Sequence, residues 1–269
     1  NLIKNCVYDC SYCFLQDFLE NNPVMSAYVN VEDLLRELDE VFTAHPERVF
    51  RVGTGELTDS LALDDVIPYS AHLVPFFSRK KNAVLELKTK SAKVENLLRH
   101  EGTKNIIISW SLNPQAIIDH EEKGTASLEE RLEAARLCAE RGFRIGIHFD
   151  PILIFPGWED AYATVVDALF RKISPGAIEW ISLGSFRYRA GLKPIAKARH
   201  ETTRLFTGEH VLCEDGKYRY LRPVRNQAYQ TLRRLLKGHS ENLCIYLCME
   251  TKEIWEGVAI KTLRGELRR

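Results

Sequence analysis

Cys6, Cys10 and Cys13 form a Cys-x3-Cys-x2-Cys array at the head of the chain, and the next cysteine, Cys138, is far away in sequence. Thiolate sulfur is the soft ligand that iron–sulfur clusters and zinc select. A loop this short can wrap three sulfurs around one cuboidal cluster, which leaves one iron without a protein ligand. Such an open iron can chelate the amino and carboxylate groups of a small molecule, which a fully ligated electron-transfer cluster cannot do. The competing reading is a structural zinc site completed by a distant His or Cys. Zinc sites of that kind are usually built from two Cys or Cys/His pairs, and no second pair lies at zinc-ribbon distance. The expectation is therefore a [4Fe–4S] cluster on Cys6, Cys10 and Cys13.

An oxygen-labile cluster needs a reducing compartment, and the cysteine usage agrees. Seven cysteines, an odd number with three gathered at one end, do not make a secreted disulfide framework, so a cytoplasmic location is expected. No apolar run is long enough to cross a bilayer and no signal-peptide core is present, so no membrane partner is expected. Lys+Arg and Asp+Glu are equal at 37 each, so a nucleic-acid partner has to be held by a local patch rather than by bulk charge. The chain opens on Asn1 rather than Met and reaches the first cysteine almost at once, an expectation of further residues upstream. Nothing in the sequence assigns an oligomeric state.

At 269 residues the chain can form one α/β barrel with an appendage. After the cysteine loop, β-type runs at 48–52, 83–90, 105–113, 143–149 and 177–183 alternate with helical stretches at 31–38, 66–77, 92–99, 127–141 and 160–171. The fourth helix opens on a capping box, Ser127 with Glu130. Alternation of this kind gives a parallel sheet. A reduced strand at Leu2 and Ile3, before the cysteines, brings the count to six β/α units, a partial (β/α)6 TIM-type barrel over 1–192. From 193 the alternation breaks into basic helices near 194–205 and 224–236, a strand at 243–248 and a short helix at 253–257. Residues 193–269 thus read as a C-terminal α/β extension, a lid or substrate-binding tail. Ligands of parallel β/α proteins sit at the carboxyl ends of the strands. Glu56, Lys90, Ser111, Asn113, His148, Asp150, Ser185 and Arg187 fall there.

The cysteine array, with aromatic Tyr12 directly before its last member, resembles the signature of the radical S-adenosyl-L-methionine (SAM) enzymes. That resemblance implies a cluster whose open iron holds SAM and delivers one electron to it, giving a 5′-deoxyadenosyl radical that abstracts hydrogen from a substrate. It also implies an electron donor such as flavodoxin or ferredoxin. Gly53-Thr54-Gly55-Glu56 resembles the Gly-Gly-Glu element that receives the methionine ammonium of SAM, so Gly53, Gly55 and Glu56 become cofactor-binding candidates. A solvated or helix-capping carboxylate is the plainer reading of Glu56. Tyr12, Lys90, Ser111 and Asn113 fall where that family contacts SAM, although each alone also fits an ordinary polar strand end.

Successive blocks narrow the resemblance. The segment from Cys6 to Gln16, then Tyr28-Val29-Asn30, Thr58-Asp59-Ser60, Thr89-Lys90, Phe149-Asp150-Pro151-Ile152, Pro156-Gly157-Trp158 and Phe186-Arg187-Tyr188 follow the order of those in spore photoproduct lyase. This implies an enzyme that reverses a thymine dimer in DNA by abstracting one hydrogen and returning one. Two positions depart from the pattern. The family's hydrogen-donating cysteine at the second-strand turn has no counterpart in Glu56-Leu57-Thr58-Asp59, and the tyrosine after the last cluster cysteine is Phe14, which carries no O–H. Tyr12 remains, and Cys244 and Cys248 are substitute donors or buried packing. The catalytic candidates are Tyr12, Glu56, His148 and Asp150, and the substrate-binding candidates are Ser185, Arg187 and Tyr188. Basic segments at Lys197, Arg199 and His200, at Arg222 and Arg225, and at Arg233 and Arg234, with Tyr218, Tyr220 and Tyr229, offer phosphate and base contacts or else a solvated helix face with ordinary core tyrosines. Two other readings stand beside repair: a diverged radical SAM enzyme acting on a non-dimer substrate, and a catalytically degenerate barrel that binds nucleic acid or protein. Retention of all three cysteines argues against the second.

Overall fold

Side chains alternate across a strand, and in the main sheet that alternation separates two kinds of residue. Leu85 and Leu87, Ile106, Ile108 and Trp110, Ile145 and Ile147, Ile181 and Leu183 point to one face and are buried in the main apolar cluster. Glu86, Ser109, His148, Trp180 and Tyr246 point to the other, where they contact one another or Arg51. The sheet is therefore apolar on its helix-covered outside and polar within its curl, so the concave side is suited to a ligand.

The computed structural model describes residues 1–20 and 22–258. In chain order, β1 (Ile3–Lys4), β2 (Asp9–Cys10), α1 (Leu15–Phe18), β3 (Ser26–Ala27) and α2 (Val31–Ala44) precede the first strand of the main sheet. The β/α series then runs β4 (Phe50–Gly53), α3 (Tyr69–Ser78), β5 (Ala83–Thr89), β6 (Ile106–Ser111), α4 (Gln115–Glu121), β7 (Glu122–Lys123), α5 (Leu128–Glu140), β8 (Arg144–Ile152), α6 (Trp158–Lys172) and β9 (Ile178–Ser185). It is followed by β10 (Arg187–Tyr188), α7 (Leu192–Arg199), β11 (Val211–Leu212), β12 (Tyr218–Arg219), α8 (Arg222–His239), β13 (Ile245–Leu247) and α9 (Lys252–Val258). The main sheet has six strands in the order β13-β9-β8-β6-β5-β4, and every neighbouring pair is parallel. This is the partial α/β barrel expected from the alternation. Among the described residues no helix is long and apolar enough to cross a membrane.

Two details differ from the sequence reading. The sixth strand does not come from before Cys6: β1 pairs antiparallel with β3, off the main sheet, and Asn5, at φ 73, turns the chain immediately after it. The place is taken at the opposite edge by β13, parallel to β9, with Ile181, Ser182 and Leu183 opposite Ile245, Tyr246 and Leu247. The helix expected over 92–99 is a single 3-10 turn, Leu97–Arg99. Thr89 Oγ1 accepts the Ser91 N–H and Ser91 Oγ accepts the Lys93 N–H, at 2.8 and 3.0 Å, so side-chain oxygens occupy this segment's amides and hold it in turns. The capping box at the head of α5 forms as expected, with Ser127 Oγ accepting the Glu130 N–H and Glu130 accepting the Ser127 N–H.

Past β9, the strands β10, β12 and β11 make a small antiparallel sheet beside the barrel mouth, while α8 packs on α6 and α9 on α8. A second apolar cluster joins this region to the cysteine loop through Cys10, Tyr12, Phe186, Tyr188, Leu192 and Phe206. Residues 259–269 of the expected extension lie outside the described residues.

Candidate active site

The three cysteines of the loop line one cavity of about 510 Å³ at the carboxyl ends of the strands. Cys10 is buried and Cys6 and Cys13 are half-buried. Burial pushes the Cys6 thiol up to about 11 and raises Cys10 and Cys13 as well, so as free thiols they are protonated at neutral pH. Among the described residues no group of three or more His, Cys, Asp or Glu is arranged to hold a single metal ion. Three thiols that share a cavity suit a multi-iron cluster, because a cluster presents a separate iron to each sulfur.

A buried network fixes the loop. Asp9 and Cys10 in β2 pair with Lys123 and Glu122 in β7, and the Ser11 N–H donates to the Glu121 carbonyl at 2.9 Å. Tyr12 donates its phenol to Glu122 Oε1, which also accepts from Asn113 Nδ2 at 2.8 Å. Glu122 Oε2 receives Arg131 Nη2 at 2.6 Å, and both side chains are fully buried. Burial alone would raise the Glu122 carboxyl, but Arg131 and Lys90 hold it below its ordinary value. Tyr12 therefore presents its ring to the cavity while its hydroxyl is tied down behind, and Lys90 Nζ lies 5.7 Å from that ring's centroid. Burial works against the Lys90 charge, but Glu122, Cys10 and Asp59 together raise its pKa above the ordinary value, so Lys90 keeps its proton.

The turn after β4 is stitched to β5. Ser60 N–H donates to the Lys88 carbonyl and Lys88 N–H to Ser60 Oγ, both at 3.1 Å. Asp59 accepts from the amides of Leu61, Ala62 and Lys90 and from Thr89 Oγ1. A Cβ on Gly55 would lie 3.0 Å from the Lys88 carbonyl oxygen, tighter than such contacts normally run, which accounts for glycine there. The turn thus delivers Gly55 and the exposed Glu56 to the cavity, and the Glu56 carboxylate makes no hydrogen bond or ion pair to a described residue.

On the concave wall, Asp150 and Arg187 form a two-point ion pair at 2.9 and 3.2 Å. Burial would raise the Asp150 carboxyl, but Arg187 holds it well below the usual carboxylate range, so it is an anion that orients rather than a proton acceptor. Cys248 completes this wall: its amide continues the β13–β9 ladder to the Leu183 carbonyl at 2.7 Å, and its Sγ lies 3.6 Å from Arg187 Nη2. Burial, then Asp150, push its thiol up to about 11.

His148 sits deeper. Its Nε2 meets Glu86 Oε1 at 2.8 Å, and Glu86 also takes Arg51 at 2.6 Å and Ser109 at 2.7 Å. Burial, then Lys88, lower His148 from 6.5 to about 4 against the pull of Glu86, so it is neutral at pH 7. The unfolded chain takes up this proton first, at about pH 6.5. The stability it contributes is therefore present above that pH and is lost as pH falls toward 4, at about 1.4 kcal/mol per unit. The depressed carboxyls of Glu86 and Asp150 act in the same sense, but only below the ordinary carboxylate range. Urea unfolding at pH 7, 6 and 5 should show this loss in the wild type and little of it in His148→Gln, which keeps an N–H donor but cannot charge; equal losses in both would remove His148 as the cause.

Of the residues singled out from the sequence, Cys6, Cys10, Tyr12, Cys13, Gly55, Glu56, Lys90, Ser111, Asp150, Arg187 and Tyr188 line the cavity. Gly53, Asn113, His148 and Ser185 do not. Asn113 is spent between Glu122 and Tyr162, and the Ser185 amide donates to Tyr229 Oη. Ser111 Oγ is buried without a partner among the described residues. A buried hydroxyl left over in a cavity is a ready contact for a ligand. The basic segments are not gathered on the cavity: none of Lys197, Arg199, His200, Arg222, Arg225, Arg233 or Arg234 lines it. Arg225 and Tyr229 are buried around Glu250, and Tyr220 is buried with its hydroxyl on the Ile154 amide. The cations on the cavity are Lys88, Lys90, Arg187, Arg189 and Lys217. Sequence reasoning missed Tyr8, Lys88 and the Glu122–Arg131 pair; for Lys88 the signal was present, two residues before Lys90 on the same strand face.

The family model for spore photoproduct lyase matches residues 1–244. The spore photoproduct lyase of Geobacillus sp. (strain Y412MC61) is 26% identical over 206 residues, 76% of this chain and 60% of that protein. That of Bacillus subtilis (strain 168) is 28% identical over 164 residues, 61% of this chain and 48% of that protein. The chain thus spans between about half and three fifths of these relatives' length. A solved structure of a spore photoproduct lyase double mutant with bound AdoMet and dinucleoside spore photoproduct is 25% identical. It superposes with a TM-score of 0.81 over 91% of this chain and 74% of that one.

Proposed function

This chain belongs to the spore photoproduct lyase family of radical SAM proteins, and from that premise we propose that it binds a [4Fe–4S] cluster and SAM and acts on a thymine photoproduct in DNA. The observation that carries the reading is the grouping of Cys6, Cys10 and Cys13 in one cavity with Lys90 and the unpartnered Ser111 hydroxyl. When bound, the cluster and SAM supply an electron and a carbon radical able to take a hydrogen atom from the substrate. The residues of the chain do the placing. Lys90, charged although buried, and Ser111 would hold the carboxylate of SAM, and Glu56 and the Gly55 backbone would hold its ammonium. Tyr12, held by Glu122, is a fixed wall against the cofactor. The Asp150–Arg187 pair, with Tyr188 stacked on Phe186 and Tyr218, shapes the substrate side.

Hydrogen return has to work without a phenol at Phe14 or a thiol at 56–59. The Tyr12 hydroxyl is engaged with Glu122, whereas Cys248 presents a protonated thiol to the cavity. Cys248 is thus the donor this reading requires. The departures at Phe14 and 56–59 favour a second reading, in which the same machinery serves a substrate other than a thymine dimer.

One assay separates them: reconstituted protein with SAM, dithionite and DNA carrying spore photoproduct, kept anaerobic, following thymine and 5′-deoxyadenosine. The proposal expects release of thymine over many turnovers, and loss of turnover in Cys248→Ala with SAM cleavage retained. SAM cleavage in the wild type with every dimer left intact would replace it with the second reading.

A further inference from the structure

Phe14 and Phe18 are large apolar side chains that the fold does not use. Phe14 is 49% and Phe18 54% exposed, neither belongs to either apolar cluster, and both line the cavity mouth. Phe14 caps α1 and Phe18 is its last residue, one turn on, with ring centroids 5.9 Å apart and planes at 60°. An edge-to-face pair leaves ring faces open, since neither ring stacks flat on the other. Single exposed apolar residues are ordinary, but two aromatics placed together at the rim of a cavity mark a contact surface.

The charges around them indicate what the surface meets. Lys88 and Arg189 line the same cavity, and neither side chain makes a hydrogen bond or ion pair to a described residue. Arg189 is exposed and Lys88 half-buried. The other cavity cations are committed: Arg187 to Asp150, Lys217 to Asp215 at 3.5 Å, and Lys90 to the field of Glu122. Lys88 feels the Asp150 carboxylate without bonding to it, and Arg189 has no acid of its own among the described residues. Open aromatic faces beside cations that make no ion pair are the means by which proteins hold single-stranded nucleic acid, the rings stacking bases and the cations holding phosphates. An apolar protein partner would use the rings but leave Arg189 unmatched.

We propose that Phe14 and Phe18 form a stacking platform for an unpaired nucleobase at the cavity mouth, with Arg189 and Lys88 holding the adjoining phosphates. The platform rests on the repair reading and deepens it by saying how the strand is presented: the base beside the lesion leaves the helix and lies on the rings while the lesion enters the cavity. It also gives Phe14 a use that needs no O–H.

The test is equilibrium binding to the full chain, purified without oxygen, of a single-stranded oligonucleotide with 2-aminopurine beside a thymine pair. Anisotropy reports affinity and 2-aminopurine quenching reports stacking. Phe14→Ala and Phe18→Ala should each weaken binding roughly 5- to 150-fold and remove quenching. Phe18→Trp should keep both, and Arg189→Ala should lower affinity and flatten its salt dependence while leaving quenching in the bound complex. Both rings are exposed, so thermal unfolding of the variants should match wild type. Wild-type affinity and quenching in both alanine variants would overturn the platform while leaving repair untouched if the wild type still restores thymine. Binding as tight to an oligonucleotide with an abasic site in place of the 2-aminopurine would overturn it too, as phosphate attraction alone. A wild type that cleaves SAM yet binds no oligonucleotide would overturn the platform, while thymine release from photoproduct DNA decides the repair reading separately.

Discussion

Replacing Cys10 and Cys13 together by alanine should abolish iron binding in the anaerobically reconstituted protein and reduce SAM cleavage to background. Among the described residues Cys248 is the one further cysteine that lines the cavity, too few to replace the two lost sulfurs. With two of three sulfurs gone, a single thiolate cannot retain a cuboidal cluster. Because the thiols are protonated when free, loading releases protons and should proceed faster as pH rises. Iron and sulfide analysis of wild type and double mutant decides the matter. Full iron in the double mutant would place the cluster elsewhere, and zinc in place of iron in the wild type would return the site to a structural role.

Arg131→Ala should lower stability by about 3–5 kcal/mol, the range for removing one partner of a buried ion pair. Arg131 has no exposed side-chain surface and serves four acceptors: Glu122, Thr125 Oγ1 and the carbonyls of Ser111 and Ala126. Its loss leaves Glu122 charged and buried beside Tyr12 and Cys10, so the damage reaches the cysteine loop as well as the core. Arg131→Met combined with Glu122→Gln, which removes both charges, should recover much of that loss. Urea denaturation of the three proteins measures it. A loss below about 1 kcal/mol in the single variant would show that the network is incidental to the fold.

These two expectations differ in how far they could be seen beforehand. The cysteine loop is legible because its members are close in sequence and their chemistry is restrictive. The strand faces are legible because apolar and polar residues alternate, and the α5 cap because Ser127 and Glu130 sit three apart. Glu122 is not, since it lies in a two-residue strand whose partner, Cys10, is more than a hundred residues back, and no local period marks a pairing of that kind. Tyr229 took the core position that was its plainer reading, but Arg225 was misread for a related reason. A helix with many cations looks solvated in sequence, yet one of its faces is turned inward onto Glu250, a residue outside the helix. The run at 243–248 was visible as a strand, but which strand it would join was not, because alternation fixes a strand's faces and leaves its neighbour open.

That last strand sets an order of events during synthesis. β9 emerges from the ribosome with one edge unpaired and stays so while residues 186–244 are made, and only then does β13 arrive to cover it. Until that moment the backbone edge of β9 is a template for any passing strand. The cavity at this stage lacks the wall that carries Cys248, so the cysteine loop and the polar strand ends are made early and enclosed late. Joining segments this far apart in sequence is the slow kind of step in folding, because the entropy of closing the intervening chain is lost before the contact is gained. The cysteine loop is thus complete in the newborn chain before the wall that carries Cys248 closes the site, which leaves a period in which a metal could load from the open side.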